Sequence, residues 1–248
     1  MKCKLFLFVL LWAHIFCQSP RVIVNISDKT IEQLDVSYRL AIDRAYGNDQ
    51  SSEVEVMLQL VLQELREVIT EQEGIYISDS MITHEALRID KETKAPEILA
   101  KVKAVFADHR DYLRHYVRPI LVEKLLQEMF FFDTLYHMES YRIINEAFVQ
   151  RVNARIDSTL RILEPNKDQL RYYRNAAEKG IGEDKYSYFF IRQEGGKKKV
   201  YLVPKEDYTT WFHTEALKVP VRVHDKELKK KLLNRTRNSE FWQKILSE

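Results

Sequence analysis

The sequence predicts a mostly α-helical protein with a small β portion, and three observations carry that expectation. Between Asn48 and Lys179 the chain holds one glycine, Gly74, and three prolines, whereas the remainder holds Gly180, Gly182, Gly195, Gly196, Pro204 and Pro220. Apolar residues recur at three- and four-residue steps through the glycine-poor part, the spacing that gives a helix one buried face. Beyond it, short β-branched and aromatic runs flank glycine-containing turns, as strands do. The expected arrangement is a helical domain over residues 21–164 that includes one long helix, followed by a C-terminal α+β segment over 166–248 with a β-hairpin plus helix.

Residues 21–26 (RVIVNI) read as a short strand. Ser27, Asp28, Lys29 and Thr30 are turn and cap residues of the kind that open a helix, with Ile31, Leu34, Val36, Leu40 and Ile42 as its imperfect apolar stripe and Gly47-Asn48-Asp49 as its stop. A second helix begins near Glu53. Its buried face is predicted from Met57, Leu60, Val61, Leu65, Val68 and Ile69, and it ends at Glu73-Gly74. After Ile75-Tyr76-Ile77, the pair Ser78-Asp79 caps a third helix over 80–89. Pro96 suits the first turn of a fourth, which spans roughly 96–116. From 120 to 164 there is neither Gly nor Pro, and Leu121, Leu125, Met129, Phe132, Tyr136, Ile143, Ala147 and Val152 keep a helical rhythm up to Pro165. Unbroken, that helix would be about 65 Å long, so a break near Asp133 or an arm leaving the body is expected.

The tail differs in kind. Residues 186–192 (YSYFFIR) and 199–203 (KVYLV) flank Gln193-Glu194-Gly195-Gly196 and read as a hairpin. Residues 219–223 (VPVRV) form a third candidate strand, which Pro220 would hold to an edge. A closing helix is expected over 225–246.

The first 17 residues, MKCKLFLFVLLWAHIFC, place Lys2 and Lys4 before a 12-residue apolar run broken only by His14. That pattern reads as a signal peptide over 1–17, cut near Cys17. A lipid anchor on Cys17 is the competing reading, and Phe16 before the cysteine speaks against it. Cys3 and Cys17 are the only cysteines, so the rest of the chain can form no disulfide, Cys-based metal site or Cys nucleophile. The full chain has 39 Lys+Arg against 37 Asp+Glu, and losing Lys2 and Lys4 with the signal balances them. A balanced exported chain is not expected to bind nucleic acid, and no stable membrane span is expected in its mature part. Lys197-Lys198-Lys199 and Lys229-Lys230-Lys231 read as a solvated hairpin tip and a solvated helix face.

Motifs for chemistry are sparse. His84-Glu85-Ala86-Leu87-Arg88 follows the zinc-protease pattern until Arg88 replaces the second ligand. Asp108, Asp111 and His115 share a helix face, but Arg110 and Arg114 beside them suit a salt-bridged surface better than a cation site. His213 and His224 have no acid at diagnostic spacing, and no nucleophile turn or phosphate-cradling loop occurs. No catalytic residue, metal site or cofactor is predicted.

The order of features resembles a known family. Gly74-Ile75-Tyr76-Ile77-Ser78-Asp79 follows an acidic helix end and precedes a small helix. Val24-Asn25-Ile26-Ser27-Asp28-Lys29-Thr30-Ile31 opens the mature chain, and His115-Tyr116-Val117-Arg118-Pro119-Ile120 leads into the long helix. Together these residues resemble the SurA-type periplasmic chaperones, related to the N-terminal domains of parvulin-type prolyl isomerases and to the chaperone domain of trigger factor. The likeness covers residues 21–149. It implies a periplasmic protein that binds unfolded or partly folded polypeptide, with proline isomerisation as well if the tail is a parvulin domain. The tail lacks that domain's Ala-x-His-Ile-Leu opening, has no Cys, and has no Met beyond Met138. The chain therefore reads as a chaperone without catalysis; the alternative is a peptidyl-prolyl isomerase with a diverged parvulin tail. A four-stranded sheet flanked by helices after the long helix would favour the isomerase, and a lone hairpin with a helix would oppose it.

Client binding on this reading falls to the aromatic and methionine residues around the long helix: Tyr112, Tyr116, Met129, Phe130, Phe131, Phe132, Tyr136 and Met138. Three adjacent phenylalanines cannot share one helix face, since each step turns by about 100°. Either the segment is sandwiched in the core, or part of it lines an apolar groove for client chains. A homodimer that exchanges the long helix is also compatible with the sequence.

Overall fold

The computed structural model describes residues 21–130, 160–176, 182–183 and 185–247. The protein is mostly helical with a smaller antiparallel β portion. Its elements group into two compact units, one of Met1–Val61 with Pro220–Glu248 and the other of Leu62–Val219. The last strand and helices group with the first elements of the chain.

The first unit is built on a three-stranded antiparallel sheet of order β2-β1-β7, from β1 (Val22–Ile26), β2 (Lys29–Glu32) and β7 (Val221–Val223). β1 is the inner strand. It pairs Ile26 with Lys29 across the Ser27-Asp28 turn and Val24 with Val223 on its other side. Ser27 takes a left-handed φ of 54° and donates its backbone N–H to the Pro220 carbonyl at 3.0 Å. The residues expected to cap the first helix instead make this turn and β2, so Ile31 is a buried strand residue. The cap moves to Glu32, whose backbone N–H donates to the Asp35 carboxylate at 2.8 Å as α1 (Gln33–Ala45) begins. β7 lies at the sheet edge, where Pro220 was expected to hold it. The single closing helix is two: α9 (Lys226–Arg235), capped by Asp225, and α10 (Glu240–Ile245), capped by Ser239. The cap side chains satisfy first-turn N–H groups at both starts, which makes the break between them inexpensive.

α2 (Glu53–Gln72) crosses from the first unit into the second. All six residues of its predicted face are buried, and Gly74 follows with φ 78°, a conformation open to glycine at little cost. Ser78 then caps α3 (Asp79–Glu92), its hydroxyl accepting from the Met81 amide at 3.4 Å. The expected helix over 96–116 is corrected to two pieces. α4 (Pro96–Lys103) stops, and Asp108 opens a new helical stretch by accepting from the Asp111 amide at 2.9 Å. That stretch comprises α5 (His109–Tyr112), a π-turn (Leu113–Val117) and α6 (Arg118–Phe130). Pro119 explains the π-turn. It has no N–H for the preceding turn, and widening the helix just before it removes the clash that an ordinary turn would suffer.

The remainder of the predicted long helix, residues 131–159, lies outside the described residues. Its end is not helical. Arg161–Leu163 is β3, held by pairing with β6. β3, β4 (Gly182–Glu183), β5 (Ser187–Glu194) and β6 (Lys197–Pro204) form a four-stranded antiparallel sheet of order β3-β6-β5-β4. Two helices absent from the sequence reading accompany it: α7 (Lys167–Ala176) and α8 (Lys205–Ala216).

Candidate functional site

The second sheet ends on an exposed edge strand, and its geometry follows from strand register. β5 and β6 pair from Ser187 with Pro204 to Glu194 with Lys197. Gly195 and Gly196 close the hairpin with φ of 56° and 78°, the two positive angles that match the twist of the strands. β3 adds to the other side of β6, Ile162 opposite Tyr201 and Leu163 opposite Val200. Because opposed residues share a face, Tyr188, Tyr201, Val203 and Ile162 point one way and Phe189, Val200 and Leu163 the other.

Both faces are covered. Tyr201 and Val203 pack with Phe130 of α6, and Tyr188, Tyr208 and Trp211 close around them. The Phe130 ring lies 5.4 Å from Tyr208 and 5.3 Å from Trp211. On the opposite face Phe189 meets Tyr173 of α7 edge-on at 4.7 Å. The edge is different. All three β3 residues are exposed, Ile162 by 54% and Leu163 by 38%. Among the described residues β3 pairs only with β6, so its outer backbone groups face away from the sheet. Arg161 with the half-buried Asp207 at 3.8 Å and the exposed Lys197–Glu164 pair at 3.3 Å flank the strand.

The residues predicted to bind clients fall in two places along the helical stretch. Tyr112 and Tyr116 stack at 5.5 Å near its start, with Phe106 against Tyr112 at 5.9 Å. Met129 and Phe130 lie some 17 positions on, about 25 Å along a helix. Tyr112, Met129 and Phe130 are 2%, 0% and 1% exposed, and Tyr116 is half-buried. The described members are thus interior residues and do not converge. Phe131, Phe132, Tyr136 and Met138 lie outside the described residues. Missed in the sequence were Ile162 and Leu163, hidden in a helix-like run, and the Tyr208-Trp211-Phe212 set, whose i, i+3, i+4 spacing was the available signal.

Neither protein-family models nor curated proteins give a match to this chain.

Several titratable groups among the described residues are engaged in structural contacts. Glu85 is 4% exposed and paired with Arg88 and, at 3.6 Å, with Lys124. Burial alone would raise its carboxyl, but the Arg88 hydrogen bond and the Lys124 and Arg88 charges outweigh it and hold the group below the usual carboxylate range. The second position of the zinc-protease-like run is thus committed to an ion-pair cluster that also takes in Glu92, 2.6 Å from Arg88. Asp108 is occupied as a cap. Burial pushes the Tyr208 phenol up, against the opposing Arg66 charge, and lowers the His213 imidazole. No group of three or more His, Cys, Asp or Glu among the described residues is placed to hold a metal ion. No helix among them is long and apolar enough to cross a membrane.

Proposed function

We propose that this protein is an exported, periplasmic folding factor that binds unfolded polypeptide without catalysis, and that β3 is where an extended client segment docks. The exposed apolar edge of β3 is the observation that carries this reading. A client strand laid against it would satisfy outward-facing N–H and C=O groups whatever its sequence, while Ile162 and Leu163 offer apolar contact on alternate faces. Main-chain recognition suits a factor that must accept many clients.

The test is aggregation of a chemically denatured client in the presence of excess protein. The wild-type chain should slow the light-scattering rise, and Ile162→Asp should lose most of that effect while retaining the wild-type circular dichroism. A wild-type trace identical to that of an inert protein removes the reading. A second reading, peptidyl-prolyl isomerisation, draws support from the four-stranded sheet between α7 and α8, the arrangement named above as favouring it. A protease-coupled assay on an X-Pro peptide decides it, and turnover above background would replace the non-catalytic reading.

A further inference from the structure

We propose that α7 is a releasable cover over one apolar face of the second sheet, and that an apolar stretch of a client chain takes its place. The occupant rests on the client reading above; the release does not. Strand register puts Phe189 with Leu202, and Ile191 with Val200 and Leu163, in two cross-strand rows on the face that α7 lies over. Phe189 and Val200 are fully buried, Ile191 and Leu202 are half-buried, and Leu163, on the open edge strand, is exposed. A face this apolar is either shielded or used for binding.

The two helices on this sheet hold it differently. α8 is anchored: Phe212 and Ala216 are buried, Tyr208 and Trp211 pack against Phe130, and Lys205 Nζ lies 4.9 Å from the centre of the Tyr188 ring. α7 is laid on lightly. Of residues 167–173 five are exposed and none is buried; Leu170 and Tyr173, three apart on one helix face, are half-buried. Tyr173 makes the edge-on contact with Phe189, and among the described residues Lys167, Asp168 and Arg171 form no ion pair. The start of α7 is fixed by its own residues and not by the sheet: the Asn166 amide donates to Gln169 Oε1 at 3.1 Å and the Gln169 amide to Asn166 Oδ1 at 2.9 Å. A helix of 10 residues is marginal once its packing is lost, so α7 melts as it leaves, and the chain entropy regained favours release. Residues 164–166 join β3 directly to α7, so the uncovered face runs on into the edge strand proposed above. A client strand paired with β3 then has the row Leu163, Val200 and Ile191 beside it. Polypeptide is favoured over a small apolar ligand because such a ligand would leave the backbone groups of β3 unused.

The test is native-state hydrogen exchange of the full chain in urea below the unfolding transition. Amides of α7 should exchange by local opening at a rate nearly independent of urea, while those of β5 and β6 accelerate with urea as global unfolding exposes them. Tyr173→Ala should raise the open population by about tenfold, the worth of an aromatic pair with its buried area. It should also bind more of the apolar dye bis-ANS than wild type, whereas Tyr172→Ala, at the exposed neighbour, should not. In the aggregation assay Tyr173→Ala should act at about tenfold lower concentration, because a client that selects the open state binds in proportion to its population. Exchange of α7 with the same urea dependence as β6, or wild-type dye binding by Tyr173→Ala, overturns the release. Weaker suppression by Tyr173→Ala than by wild type overturns the occupant and makes α7 part of the binding surface. No suppression by either protein, with local exchange of α7 intact, strikes the client reading and its occupant together while the release stands.

Discussion

The two sheets each contain a tight hairpin, and the two turns solve the same problem with different residues. β5 and β6 are joined by Gly195-Gly196, both at positive φ, whereas β1 and β2 are joined by Ser27-Asp28 with Ser27 alone at 54°. Glycine meets that conformation freely, while a residue with a Cβ is strained by about 1–2 kcal/mol. The β5–β6 hairpin extends over eight paired positions and turns on favourable local chemistry. The β1–β2 hairpin is shorter and carries strain at its turn, and its sheet is completed by β7 from the far end of the sequence. One sheet is supported locally, the other by partners remote in the chain.

The largest effects should come from the inner strands. Phe189→Ala is expected to cost about 3–5 kcal/mol and Ile26→Ala about 2–5 kcal/mol in urea denaturation, since both side chains are fully buried. A near-neutral Ile26→Ala would mean that the remote pairing of β1 contributes little, and the contrast drawn above would fail. Next comes alkaline pH, which should weaken the β5–β6 sheet selectively. Burial raises the folded-state pKa of Tyr208 above the ordinary tyrosine value near 10, so its contribution is complete below that value and declines as pH rises beyond it. Tyr208→Phe should flatten this decline when melting temperature is followed from pH 8 to about 11; an unchanged slope would assign the loss elsewhere.

Smaller effects separate the turns directly. Gly196→Ala should cost about 1–2 kcal/mol, and the cost is conformational, because an added Cβ meets no atom within 4 Å. Ser27→Gly should do the reverse and stabilise by about 0.5 kcal/mol, strain relief exceeding the extra chain entropy by a small margin. Thermal melts of the two variants should therefore move in opposite directions. A destabilised Ser27→Gly would show that the serine side chain is worth more at the turn than its backbone strain.

Legibility followed the same division. Gly195-Gly196 between two β-rich runs announced the hairpin, and the three- and four-residue rhythm of α2 located its buried face. Ser27-Asp28-Lys29-Thr30 is ambiguous in sequence because residues that cap helices also make turns, and the pairing of Ile31 with Val24 decides between them only in the folded sheet. Asp108 shares a predicted helix face with Asp111 and His115, and only the bond it accepts from the Asp111 amide marks it as a cap and reveals the break after α4. The candidate docking edge was the least visible. Ile162 and Leu163 continue a run with helical spacing, and three residues carry no strand signal of their own; pairing with β6, about 40 residues onward, sets their conformation. The buried aromatic residues were visible as a group, but composition does not tell an interior cluster from a surface one.

The inner position of β1 also has a temporal meaning. Val24 leaves the ribosome about 200 residues before its partner Val223, a delay of roughly 10–40 s at ordinary synthesis rates of about 5–20 residues per second. Throughout that interval β1 has β2 on one side and an open edge on the other, so the first sheet cannot reach its final form while the chain is still growing. The β5–β6 hairpin needs only its own 18 residues, 187–204, and can close as soon as they emerge. Such a chain stays incompletely folded until late in its synthesis, which keeps it compatible with passage through a narrow translocation channel.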